Sequence, residues 1–283
     1  MNRTGEMMRN ATRMCLRATL FAVLASMMLL ATGCNWLRAR DQLNKGVQAY
    51  KNARYEEAIN HFNKSVELDP GLGVARLYLA TAYFGQFVPG VDTPENVHNA
   101  EQAIDQYQKV LDSNPNTSSR ITALKGIASL YFGLKRFDKA KEFHRKVLEQ
   151  DPTDPEAYYS IGVIDWTQTY APNQELRSRL SLKPDVPLDE KVCEELRTKN
   201  QGLVKEGVDM LNQAIKLRKD YDDAMAYLNL MYRQKADIEC GDSLLRVEDL
   251  KTADGYVEQA MGIKKRKAEE ESKQTGIVMD QGK

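Results

Sequence analysis

One pattern recurs along the chain and limits what it can fold into. Ala58 is followed four residues later by a large ring, Phe62, and eight beyond that by Pro70. The same arrangement returns at Ala103, Tyr107 and Pro115, and again at Ala140, His144 and Pro152. Weaker copies stand at Gly207 and Leu211 and at Ala253 and Val257, with Lys219 and Lys265 where the proline would be. Positions four apart share one face of an α-helix, and proline cannot continue the helix it follows. Each copy therefore reads as an amphipathic helix with a small residue, a packing ring and a fixed stop. A unit this short cannot bury its apolar face alone, so the copies must stack.

The stretch from Arg54 to Pro70 resembles the second half of a tetratricopeptide repeat, and the resemblance extends over residues 41–268. It implies an all-α fold, a right-handed superhelical solenoid of about five helix-turn-helix repeats with inserts in repeats 2, 4 and 5. The inserts follow from the spacing of the small residues against a repeat of about 34 residues. Ala58 to Ala103 is 45 residues, Ala140 to Gly207 is 67, and Gly207 to Ala253 is 46. The first insert falls on Phe87–Pro94, rich in turn formers, with Thr93 and Pro94 opening the next helix. The second gives a helix from Pro155 to Gln168, a proline-bearing loop over Tyr170–Pro187, and a long helix from Asp189 to Arg218. The third falls around Cys240–Asp242, and residues 269–283 are expected to form a disordered tail.

The N-terminus carries a different signal. Arg3, Arg9, Arg13 and Arg17 precede an apolar run from Leu20 to Leu30, too short for the roughly 20 residues of a bilayer span. The run ends Leu30-Ala31-Thr32-Gly33-Cys34, which resembles a bacterial lipobox, with Ala31 where leucine is usual. That resemblance implies a signal peptide over residues 1–33, lipidation (with palmitate) of Cys34, and a lipidated tether over residues 34–40. The mature chain would carry 36 basic and 39 acidic side chains, a net charge of −3. Asn35 after the cysteine implies, by analogy with enterobacteria, an outer-membrane lipoprotein facing the periplasm. In that oxidising compartment Cys193 and Cys240 are expected to pair as a disulfide. Measured from the turn at Asp220 their helical arms differ by seven residues, about 10 Å, so one arm must bend.

No catalytic constellation appears, and neither an enzyme nor a cofactor is expected. His61, His98 and His144 stand on different repeats without metal-ligand spacing, and no Gly-rich phosphate loop or Gly-x-Ser-x-Gly elbow is present. The full chain has 40 basic and 40 acidic side chains, which argues against a nucleic-acid partner. What remains is binding. In the tetratricopeptide family the concave groove is lined by the first helix of each repeat. Carried over, those positions are Leu43, Tyr50, Leu77, Phe84, Phe132, Tyr159, Val163 and Trp166. The rings at Tyr50, Phe84, Phe132 and Trp166 would make a ladder for a protein or peptide partner, and self-association is an alternative use. The Lys and Asn pair that grips acidic peptide termini in this family is incomplete, with Lys125 facing Ser129. A small ligand capped by the inserts is the rival reading.

Overall fold

The computed structural model describes residues 35–183 and 186–275. The signal peptide, Cys34 and the chain beyond residue 275 lie outside the described residues. Within them the secondary structure is helical: α1 over residues 35–51, α2 (Tyr55–Leu68), α3 (Gly73–Gln86), α4 (Pro94–Asp112), α5 (Thr117–Gly133), α6 (Phe137–Gln150), α7 (Pro155–Arg179), α8 (Glu190–Leu217), α9 (Asp222–Ala236) and α10 (Ser243–Thr275). The chain divides into two compact units, the first ending at Ala123 and the second beginning at Leu124, so the boundary falls within α5.

In the first unit α2 packs on α3 and α3 on α4, the succession of a helical-hairpin stack. Its core is Ala49, Ala58, Ile59, Phe62, Leu79 and Ala82. The small residue and ring of the recurring pattern are thus both interior, and close approach follows from them. A Cβ on Gly46 would come within 2.5 Å of the Phe62 ring, so α1 can lie against α2 only because that position lacks a side chain. The turn at Asn52–Arg54 closes with Ala53 at φ 55°, the Arg54 amide donating to Ala49 and the Ala53 amide to Tyr50. The same two bonds recur at Leu134–Arg136 with Lys135 at φ 57°, which stops one helix and starts the next. The Phe87–Pro94 insert is held locally. Asn96 accepts from the Val88 amide and donates to the Val88 and Val91 carbonyls, at 2.7, 2.9 and 2.7 Å. Thr93 caps α4 and Pro94 is its first residue, as the sequence implies.

The second unit packs α6 on α7, α7 on both α8 and α9, α8 on α9, and α9 on α10. Its core runs through Leu196, Val204, Leu211, Ala214, Leu228 and Met231. Gly162 sits where α8 crosses α7, and a Cβ there would meet the Leu211 Cγ at 2.5 Å.

Three boundaries differ from those read in the sequence. The expected tether is helical from residue 35, because Ala39 is fully buried and its carbonyl accepts the Ser65 hydroxyl at 2.7 Å. The expected loop after Gln168 is instead the continuation of α7 to Arg179, with Pro172 inside the helix. An interior proline costs about 3 kcal/mol. It is offset here by polar contacts that only the extended helix can make: Asn173 donates to Gln234 and Asp237, and Arg177 pairs with Asp237 at 2.6 Å. Arg177 also donates to the Lys183 and Val186 carbonyls, gathering the following segment around itself. Lastly, α10 reaches Thr275 rather than stopping at residue 268. Its end is rich in good helix formers, and Lys265–Glu269 and Arg266–Glu270 add pairs one turn apart.

Cys193 and Cys240 are joined, with Cα atoms 5.5 Å apart. The arm mismatch is taken up at the end of α9: the helix stops at Ala236, and the turn that begins at Asp237 brings Cys240 back to α8.

Candidate functional site

The groove positions are half-buried in both units. In the first, Leu43 and Tyr50 pack on the Phe62 core, and Leu77 and Phe84 lie along α3. Tyr50 meets the edge of Tyr55, the ring that opens α2, at 5.5 Å and 63°. Burial and that neighbouring phenol raise the Tyr50 pKa. Each of these rings stands on the first helix of its repeat with part of its surface left to solvent.

In the second unit Phe132 meets Phe137 at 5.9 Å, the same ring-on-next-helix contact as Tyr50 with Tyr55. Val163 stands between Tyr159 and Trp166 on α7 and is half-buried. Tyr159 and Trp166 belong to a longer run of rings. Tyr221 lies 5.0 Å from Tyr159, Tyr159 5.6 Å from Tyr227, Tyr227 5.3 Å from Trp166, and Trp166 4.7 Å from Tyr170. The contacts at Tyr227 are edge-on and the last is stacked, the two arrangements that ring quadrupoles favour. Burial pushes the Tyr159 phenol up, and the Tyr221 phenol to about 12, so both stay protonated at neutral pH. The run ends in the open, with Tyr170 39% exposed.

Beside Trp166 and Tyr170 a cleft of about 340 Å³ opens between α7, α9 and α10. Two of the three arginines on its walls are paired with carboxylates, Arg177 with Asp237 and Arg233 with Asp254, each at 2.6 Å, and Arg246 is the third. Arg233 is further held by Asn229 at 2.9 Å. Lys125 is likewise engaged: Asp154 lies 2.6 Å away and Glu156 3.1 Å. Burial alone would lower the Lys125 pKa, but those two carboxylates hold it raised.

The resemblance to tetratricopeptide repeats points to Tyr159 and Trp166 and does not reach Tyr170, Tyr221 and Tyr227. The signal for Tyr170 was its place one turn after Trp166, hidden once that stretch was read as a loop. Tyr221 and Tyr227 come from the facing helix, and no local pattern shows which rings will meet across two helices.

The other candidates have structural roles. His144 is buried in the ring position of its repeat, and burial with the nearby Lys125 charge lowers its pKa to about 4. His61 hydrogen-bonds Gln42 at 2.8 Å. Among the described residues no group of three or more His, Cys, Asp or Glu side chains could hold a metal ion. A buried network joins α6, α7 and α8: Lys141 bridges Asp165 at 2.7 Å and Glu206 at 2.9 Å, and Arg145 also contacts Glu206. Burial raises the Asp165 carboxyl to about 7 against the pull of Lys141.

Comparison with known proteins agrees with this architecture. Sequence models described as tetratricopeptide repeat match residues 42–72 and 98–161. The human Tetratricopeptide repeat protein 13 is 25% identical over 181 residues, 63% of this chain and 20% of that protein. Photosystem I assembly protein Ycf3 of Synechococcus sp. (strain CC9605) is 29% identical over 70 residues, 25% of this chain and 40% of that protein. The chain thus spans about a fifth and two fifths of these relatives' lengths. Among solved structures, a crystal structure of MamA superposes with a TM-score of 0.53 at 15% identity, covering 79% of this chain and 96% of MamA. MamA (residues 41 to the end) from Desulfovibrio magneticus RS-1 gives 0.53 at 15% identity, covering 81% and 96%. Residues 42–72 and 98–161 are tetratricopeptide repeats, and the chain has the all-α solenoid fold of proteins built from them.

Proposed function

We propose that this chain is a lipid-anchored scaffold of the bacterial envelope that holds a protein partner. The observation that carries the reading is the ring run from Tyr221 through Tyr159, Tyr227 and Trp166 to the exposed Tyr170. Aromatic side chains offer large contact area at little conformational cost and are enriched at the energetic centres of interfaces. Here they lie on α7 and α9, the first helices of their repeats, and at the N-cap of α9, beside a cleft in which Arg177 and Arg233 are already paired with carboxylates. An extended peptide or apolar helix suits such a surface better than a charged group does. Leu43, Tyr50, Leu77 and Phe84 form the corresponding face of the first unit. The anchor is the acylated Cys34, placing the chain at the outer membrane facing the periplasm, in envelope assembly, secretion or pilus assembly. Among the described residues no helix is long and apolar enough to cross a membrane.

A second reading has an observation of its own. The extension of α7 past Pro172 supplies Gln174 and Arg177 to the wall of the cleft at Trp166, and a small ligand could enter there. Affinity capture of the tagged chain from native membranes separates the two. It is run beside a Trp166→Leu, Tyr170→Ala variant shown by circular dichroism to remain helical. A crosslinked protein lost in the variant supports the scaffold. Unchanged capture refutes this surface, and no capture by either chain favours the small ligand. Labelling with palmitate, abolished by Cys34→Ser, tests the anchor.

A further inference from the structure

We propose that α1 rests directly on the bilayer, with Trp36 and Leu37 in its interface and no flexible linker between lipid and fold. The inference rests on the reading of Cys34 as the acylated residue. Trp36 is 49% exposed and Leu37 63%, two large apolar side chains left to solvent at the start of a helix. The residues around them are not a tether. Ala39 is fully buried, its carbonyl accepts the Ser65 hydroxyl, and Arg40 faces Asp69 at 3.8 Å, so the first turns of α1 are fixed to α2. Two residues of chain span at most about 7 Å in any conformation. Acyl chains on Cys34 would therefore hold the Trp36 backbone at headgroup level, wherever the rest of the unit lies.

The side chains suit that depth. Indole partitions to the membrane–water interface because one edge is apolar and the other donates a hydrogen bond. The Arg40 guanidinium sits 3.7 Å above the Trp36 ring, leaving a cation beside the indole, and Arg38 is exposed on another face of the same first turns. Basic groups at this level are drawn to anionic headgroups. Leu37 adds apolar surface that water otherwise covers. Taken together the acyl chains, the indole and the two arginines would fix the orientation of the first unit on the membrane, where a flexible tether would leave it free.

The chain has two tryptophans, so Trp166→Phe leaves Trp36 as the only indole. The purified full-length lipoprotein is placed in vesicles of phosphatidylethanolamine and phosphatidylglycerol, and its mass reports whether Cys34 carries lipid. The inference predicts blue-shifted Trp36 emission, quenched by lipids brominated near the headgroup and shielded from iodide. A lipidated chain whose indole is quenched by iodide and not by brominated lipid overturns it. So does an indole shielded from both, which would mean that protein covers it. A mass without lipid overturns the lipoprotein reading, and this inference with it. If Trp166→Phe fails to fold, the difference between the native chain and Trp36→Phe gives the same readout.

Discussion

Asp165 and His144 are buried in one unit and titrate in opposite senses. Burial raises the Asp165 carboxyl from 3.8 to about 7, so the folded chain keeps a proton that the unfolded chain releases between those values. Stability from this group falls as pH rises through that window. Burial, aided by Lys125, lowers His144 from 6.5 to about 4, so the unfolded chain binds the extra proton and stability rises over the same range. Each slope approaches about 1.4 kcal/mol per pH unit at most. The lowered carboxylates, such as Glu142 at about 2, act below their ordinary value of 4.5. The native chain should therefore show little pH dependence between about 4.5 and 6.5. Asp165→Asn should become more stable as pH rises, and His144→Phe less stable. Urea midpoints across this range check it, and parallel curves for the two variants would refute it. His144→Phe should also stabilise by about 1 kcal/mol, because Nδ1 is buried without a partner. The sequence showed His144 in the ring position of its repeat. It did not show Asp165, whose burial is created by two other helices.

At the scale of elements, the stop signals were legible wherever a helix ended for local reasons. The turns at Ala53 and Lys135, the cap at Thr93 and the end of α6 before Pro152 all follow from nearby residues. Helix α7 is the exception, since Pro172 locally favours a stop and the contacts that override it are on α9. Arg177→Ala should leave Asp237 short of its partner in a nearly closed site and destabilise the unit by about 3 kcal/mol. Limited proteolysis should then cut between Thr169 and Lys183, where the native chain should resist. Native-like resistance in the variant would show that Pro172 needs no such offset. At Gly162 a methyl group would strike the branch carbon of the fully buried Leu211. Gly162→Ala should cost about 1–3 kcal/mol in thermal or urea unfolding, and an unchanged midpoint would mean that α8 can shift away.

For the whole molecule, repeat order and number came from the recurring small residue, ring and proline, because that pattern is the packing unit itself. The meeting of Tyr221, Tyr159, Tyr227, Trp166 and Tyr170 was legible only in part, since it depends on which faces of α7 and α9 oppose each other. The link between Cys193 and Cys240 closes a 47-residue separation, and its reduction should lower stability by about 2–4 kcal/mol. Urea unfolding with and without reductant measures this, with Cys240→Ser as the reference that should not respond. The central claim is that the ring run holds a protein. The most direct measurement is site-specific photocrosslinking in living cells, with the photoreactive residue at Tyr170 or at Glu258, an exposed position on α10. The account predicts a discrete protein adduct from Tyr170 that disappears with Trp166→Leu and is absent from Glu258. Adducts from Glu258 and none from Tyr170 would contradict it.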